Sequence, residues 1–306
     1  MITNEALNAY VQKNPKLVSI KKSINYPTLY VIKYKKTVFF NNSWDDYLEH
    51  CRGTVIDSDF NLISYPFQKI YNYGIEKRAP IISNDTKVTA FRKINGFMAA
   101  ITFWNGDLLI STTGSLDSEY VEMVKQLIRQ KYNYQDWCLV FSRSDLRGMT
   151  FMFECCHVDD PHIVPEKEGM YLLGYRENVW GSRVQHDSFI LRELAQELGC
   201  YTPECTVTNM GRVQEMVKEC RHEGYVVYTD DGVSTKIKSP YYLVNKWVAR
   251  NPRTDKLVDL KNDIKRSIDE EYHGLIDHIR ENIVEYTAMT EQQRLEWVRN
   301  YMENAV

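Results

Sequence analysis

No stretch of this 306-residue chain approaches the ~20 consecutive apolar residues of a membrane-spanning helix, so no membrane association is expected. The opening residues, MITNEALNAYVQKN, lack the apolar core of a secretion signal. Cysteine is present seven times, an odd number, and no two cysteines form a C-x-x-C pair. Cys155 and Cys156 adjoin in a probable strand, where neighbouring side chains point to opposite faces. A reduced, intracellular, cytoplasmic protein without a zinc site is the expectation. Internal repeats and low-complexity linkers are missing too. So is any excess of positive charge: the net charge of -3 excludes a protein that coats polyanions by bulk attraction. Nucleic acid would have to be met by cations gathered in one groove.

What is present is globular. Hydrophobic residues make up 43% and charged residues 26%, enough for one large mixed domain and a smaller appendage. The 21 tyrosines supply aromatic surface on which bases could stack. FMAAITFW and DLLIST flank Asn105-Gly106, a strong hairpin signal. Tyr120, Val121, Val124, Leu127 and Ile128 share one face of a helix whose first turn is acidic. TFMFECC and MYLLGY read as buried strands, and residues 188–198 as an amphipathic helix stopped by Gly199. After Pro252 the pattern turns helical: Leu257, Leu260, Ile264 and Ile268 make a stripe that Leu275, Ile276, Ile279 and Ile283 continue. Thr290 and Gln293 fit a capping box opening a last helix. The expected fold is therefore α+β, a body over residues 1–245 followed by a small all-helical domain over 246–306.

Five charged residues stand at strand ends with little apolar reason to be there: Lys93, Glu154, Glu223, Lys236 and Lys238. GYVVYT and VSTKIK flank Asp231-Gly232. With a two-residue turn, Val227 lies opposite Lys236 and Tyr225 opposite Lys238, placing Glu223, Tyr225, Lys236 and Lys238 on one face. Such a face suits a phosphate and a metal ion; taken alone, a solvated cross-strand ion pair is the better reading of it. Glu154, between Phe153 and Cys155, needs a partner if the strand is buried: a core arginine, a backbone amide or a ligand hydroxyl. Lys93 becomes a nucleophile if desolvation or neighbouring cations (Arg92, Lys236, Lys238) lower its pKa. His157, His162, Asp159 and Asp160 have the composition of a loop rather than a metal cluster.

Several of these segments resemble, in order, the motifs of the covalent nucleotidyltransferases, the superfamily of ATP-dependent ligases and capping enzymes. Lys93-Ile-Asn-Gly96 is similar to the nucleophile motif. Phe151-Met-Phe-Glu154, Leu172-Leu-Gly-Tyr-Arg176, Glu223-Gly-Tyr-Val226 and Lys236-Ile-Lys238-Ser-Pro240 resemble the later ones. Upstream, Cys51-Arg52-Gly53 and the segment from Pro66 through Lys69 to Gly74 resemble the bacteriophage RNA ligase 1 group. The resemblance spans roughly residues 45–245. It implies a nucleotidyltransferase (ATP-grasp-like ligase) domain of antiparallel sheets flanked by helices. The implied activity is an ATP-dependent RNA ligase, with ATP and Mg2+ (or Mn2+) as cofactors. RNA ends, single-stranded or structured as in broken tRNA, are the implied partners. A monomer acting in the cytoplasm, as a virus-encoded enzyme would in its host, fits this group.

By the same resemblance, Lys93 attacks the α-phosphate of ATP, and Arg52 and Lys69 hold the triphosphate. Asn95 and Gly96 belong to the nucleotide site, Glu154 meets the ribose, Glu223 helps hold the metal, and Lys236 and Lys238 grip the α-phosphate. Three positions depart from the pattern: Asn95 where aspartate is usual, Thr113 in STTGSL where lysine is expected, and His162 where arginine is expected. Two other readings stand beside this one: a GTP-dependent capping-type guanylyltransferase, and a catalytically silent module that binds RNA ends. A DNA ligase is disfavoured, because the tail reads as helix rather than as the short strands of an OB-fold.

Overall fold

The computed structural model describes residues 2–250, 254–261, 263–266, 268 and 272–304; Pro252, taken as the start of the helical tail, lies outside them. The fold is α+β and holds three sheets. The first contains β1 (Val18–Lys22), β2 (Leu29–Tyr34), β3 (Arg52–Asp57) and β4 (Leu62–Ser64) in that order, with α1 (Asn4–Lys13) and α2 (Lys36–Phe40) beside it. β5 (Tyr71–Asn72) and β6 (Lys87–Arg92) lead into the hairpin of β7 (Phe97–Trp104) and β8 (Asp107–Thr112). Helices α3 (Glu119–Lys131) and α4 (Tyr134–Ser142) precede β9 (Met149–Cys156) and β10 (Gly169–Glu177). Then come α5 (Ser188–Leu198), β11 (Cys205–Asn209), α6 (Met210–Glu219), β12 (Gly224–Thr229) and β13 (Ser234–Lys238). The tail comprises α7 (Pro240–Arg250), α8 (Asp255–Val258), α9 (His273–Glu281), α10 (Ile283–Ala288) and α11 (Glu291–Asn304).

The second sheet runs β10-β9-β7-β8 and the third β11-β6-β12-β13-β5. Pairing is antiparallel apart from the short parallel contact of β13 with β5. The main core lies between the second sheet and helices α3, α4 and α5. There Trp137 stacks on Phe153, and its indole N–H donates to the carbonyl of Leu198 at 2.9 Å. Asn105 and Gly106 turn the β7–β8 hairpin with φ of 50° and 85°, the mirror-image turn that this dipeptide adopts readily. Gly199 ends α5 in the left-handed region. Cys155 points into the main core and Cys156 to the opposite side, against Ile94 and Tyr171.

Two expectations change. The β12–β13 loop has three residues, Asp230–Gly232, not two: Thr229 N donates to Val233 O at 2.9 Å, and Gly232 takes φ 87°. Val226 therefore faces Lys236, Gly224 faces Lys238, and Tyr225 points to the other side of the sheet. In the tail, Leu257, Leu275, Ile276 and Ile279 are buried together, but Leu260 is 69% exposed. The capping box is formed as expected, by reciprocal bonds between Thr290 and Gln293. The division expected after residue 245 falls inside α7, which is continuous to Arg250.

Candidate active site

The crossover from β6 to β7 carries the chain from the third sheet to the second, and Lys93 to Gly96 are its four residues. Its ends are held tightly. Lys93 N donates to Gly224 O at 2.8 Å, and Gly96 N donates to Glu154 Oε1 at 3.1 Å. A Cβ on Gly96 would lie 2.3 Å from the carbonyl oxygen of Cys155, so no side chain fits at that position. Lys93 is thereby fixed in the mouth of a cleft of about 250 Å³ between the two sheets.

Arg52, Lys93, Thr113, Glu154 and Lys236 line this cleft with charge and polarity; Ile94, Met98, Leu173, Pro203 and Val226 supply an apolar lining. A lining that mixes cations and a carboxylate with apolar side chains suits a ligand with both an apolar and an anionic part. Of the predicted residues, Lys93, Glu154, Lys236 and Arg52 come together here. Glu223 lies just before β12, 2% exposed, with both oxygens engaged. Oε2 accepts from Lys93 Nζ at 2.9 Å and Asn95 Nδ2 at 2.8 Å, and Oε1 from Lys238 Nζ at 2.9 Å. Glu223 thus meets both lysines despite the shifted register. It stands at the strand end, where its carbonyl accepts from Ser239 N, and strict alternation has stopped. The Asn95 side chain ties three parts together. Its amide donates to Glu223, and its oxygen accepts from Val164 N at 3.0 Å in the loop before β10.

Lys69 is not brought into the cleft. Gln68 and Ile70 line the cleft, while Lys69 between them does not and is 5% exposed, near enough for its charge to act on Lys236. It pairs with Glu76 at 2.6 Å and lies over the rings of Trp44 and Tyr71. Glu154 takes the backbone amide of Gly96 as its partner, the second of the three partners weighed for it. His157 and His162 sit in a loop with Asp159 and Asp160, and no group of three or more His, Cys, Asp or Glu suited to a metal occurs among the described residues.

The electrostatics reverse one expectation. Burial alone would lower the pKa of Lys93, but the carboxylates of Glu223 and Glu154 outweigh it and hold the amine above an ordinary lysine. Of the cations that were to activate it, Lys238 is itself tied to Glu223 and Arg92 to Glu166. Lys236 is the depressed lysine, pushed down to about 7 by burial and by the nearby charges of Lys69, Arg52, Lys93 and Lys238. Glu223 is pulled down to about 2: Lys93 and Lys238 overcome the burial that opposes its charge. Burial lifts Glu154, with Glu223 adding to the rise and Lys93 opposing it. An always-ionised carboxylate at 223 fits a Mg2+ ion that takes most of its ligands from phosphates and water.

The RNA ligase family model matches residues 50–242. The chain belongs to the RNA ligase family. No curated protein matches it. Among solved structures, two forms of an archaeal ATP-dependent RNA ligase align with this ligase at TM-scores of 0.59 and 0.57. Both are 14% identical to it, covering 97% of this chain and 79% of theirs. A candidate ATP-dependent DNA ligase from Aquifex aeolicus aligns at 0.53, also 14% identical, over 97% of this chain and 77% of its own. At that identity the likeness speaks for the fold.

Sequence reasoning missed the ligase's apolar cleft residues Met98, Leu173 and Pro203. It also missed Tyr242, whose ring lies 4.7 Å from Lys238 Nζ, and Glu166, which holds Arg92 at 2.8 Å. Among the described residues no helix is long and apolar enough to cross a membrane.

Proposed function

We propose that the chain is an ATP-dependent RNA ligase working through a lysyl-AMP intermediate on Lys93. One observation supports this above others. A lysine is fixed on the crossover between two sheets, in a cleft shared with Glu154, Arg52 and Lys236 and bonded to Glu223.

Lys93 Nζ, once freed from Glu223 and deprotonated, attacks the α-phosphorus of ATP. A P–N bond forms, the bond to the β-phosphate oxygen breaks, and pyrophosphate leaves. Lys236 and Lys238 sit where their charge offsets that growing on the α-phosphate, and Arg52 meets the departing phosphates. Glu154 accepts from the ribose hydroxyls, and the apolar lining takes the base. Glu223 would hold Mg2+, which would supply charge neutralisation to the phosphates. An oxygen of the 5′-phosphate of an RNA end then attacks the AMP phosphorus, a P–O bond forms, the P–N bond breaks, and the amine of Lys93 is released. A 3′-hydroxyl displaces AMP, and the phosphodiester forms. RNA ends, as in a broken structured RNA, are the proposed substrates.

Incubation with labelled ATP, in parallel with labelled GTP, tests the reading. The expected result is a mass increase of one AMP, lost in Lys93→Ala and reduced at least ~100-fold in Lys238→Ala, as for removal of a charge-stabilising group. Labelling by GTP alone, or AMP retained in Lys93→Ala, overturns it.

A further inference from the structure

Two cations outside the nucleotide cleft, Lys33 and Lys21, have no role in the reaction described above, and they continue a row from a cation that has one. The row begins at Arg52, on the cleft wall, and continues across the first sheet. Lys33 is the direct cross-strand partner of Arg52. Lys21 lies one strand further on, its ammonium 3.2 Å from Ser115 Oγ. Ser19 is the direct partner of Lys33, and Lys21 stands two residues beyond it on the same face, so the three cations run diagonally across β3, β2 and β1.

The row lies against the loop that follows β8. Gly53 packs so closely there that a Cβ on it would lie 2.7 Å from Thr112 O and 2.8 Å from Thr113 Cα. The Lys33 side chain crosses the same loop, its Nζ 2.7 Å from where a Cβ on Gly114 would stand. Arg52, Lys33 and the Thr113–Gly114 backbone thus converge at the rim of the cleft. Among the described residues neither Lys33 nor Arg52 is paired with an acid. Asp117, the acid facing Lys21, is spent on Ser23 Oγ and the backbone amides of Ile24 and Asn25. In a protein of net charge -3, unpaired cations in a line are a site for a polyanion.

We infer that Arg52, Lys33 and Lys21 form a phosphate track running from the cleft rim across the first sheet, in which Lys33 supplies the charge that Thr113 does not. The ligand is a chain of phosphate groups, with an RNA strand near its reactive end as the source that the length of the row favours. The inference rests on the ligase reading for its reaction, but the track binds phosphates whether or not Lys93 reacts. Backbone contacts of this kind set affinity and position without reading sequence.

Lys33→Ala is the decisive variant, with Lys33→Arg and the double variant Lys33→Ala/Thr113→Lys as companions. Two assays are run: AMP attachment over a range of ATP, and sealing of a pre-adenylylated single-stranded RNA without ATP at several salt concentrations. Lys33→Ala is expected to raise the KM for RNA about tenfold and to reduce the salt slope by about 0.7, the share of one phosphate contact on a single strand. Lys33→Arg restores both values, and the double variant recovers most of the loss. A rise in the KM for ATP, with that for RNA unchanged, assigns the track to the triphosphate instead. Unchanged KM values for both, in a variant that melts like the parent, overturn the track.

The ligase reading fails separately, if the parent protein takes no AMP on Lys93. In that event, binding of a fluorescent 5′-phosphorylated RNA strand by parent and Lys33→Ala proteins still decides. Weaker binding by the variant supports the track, and equal binding overturns it.

Discussion

At the scale of single residues, Glu223 decides the protonation state of the site. Its carboxylate holds Lys93 and Lys238 and accepts from Asn95, so the lysine that must react is kept as an ammonium. The sign follows directly: a lysine whose pKa is raised loses its proton only at higher pH. AMP attachment should therefore rise with pH, with its midpoint displaced upward. In Glu223→Gln the midpoint should move to lower pH even as the maximal rate falls; a pH–rate profile measures both. Glu223 also links to stability. Its folded pKa of about 2 lies below the ordinary 4.5, so the ion pairs contribute fully above that ordinary value and are lost as pH falls through about 2. The Asn95 side chain belongs to the same arrangement. A carboxylate at that position would set a second negative charge against Glu223 in a buried place, and the amide avoids this.

At the scale of elements, the crossover between β6 and β7 has little slack. Gly96→Ala would drive a methyl into the carbonyl of Cys155, a backbone atom that cannot swing away. A loss of about 1–3 kcal/mol is expected, read from the midpoint of denaturant unfolding, together with a marked fall in AMP attachment because Lys93 is displaced with its neighbour.

The elements that sequence reasoning reached were those with local causes. The Asn105-Gly106 turn, the face of α3, the limits of α5 and the Thr290–Gln293 cap each depend on residues a few positions apart. The register of β13 was out of reach, since Asp231-Gly232 is compatible with loops of two or three residues and the choice decides which side chains point inward. The pairing of Lys69 with Glu76 was out of reach as well, because nothing in the spacing says which acid a buried lysine will meet. The bond between Lys93 and Glu223 spans 130 residues, and spacing alone could bring the motifs together but not say which charges would touch. Lys33 is the extreme case, because nothing near it in the chain marks the loop that it crosses.

At the scale of the whole molecule, the helical tail is packed on the site rather than hung from it. Ala249 and Leu295 close a core with Tyr242 and with Ile163 and Val164, and Arg299 donates to the carbonyl of His162. Val164 N is the group that Asn95 accepts from. The tail therefore supports the nucleophile loop through one intervening segment. Leu295→Asp, in α11 and outside the cleft, should cut AMP attachment several-fold while binding of a labelled RNA strand changes little. Equal attachment in parent and variant would show the tail to be only a covering.

The double engagement of Glu223 has a consequence for the protein at rest. An amine that is protonated and hydrogen-bonded in a recess is a poor target for stray acylating or carbamylating agents. The bond to Glu223 thus masks the nitrogen on which the proposed reaction depends, and unmasking it falls to the cargo that it is meant to carry.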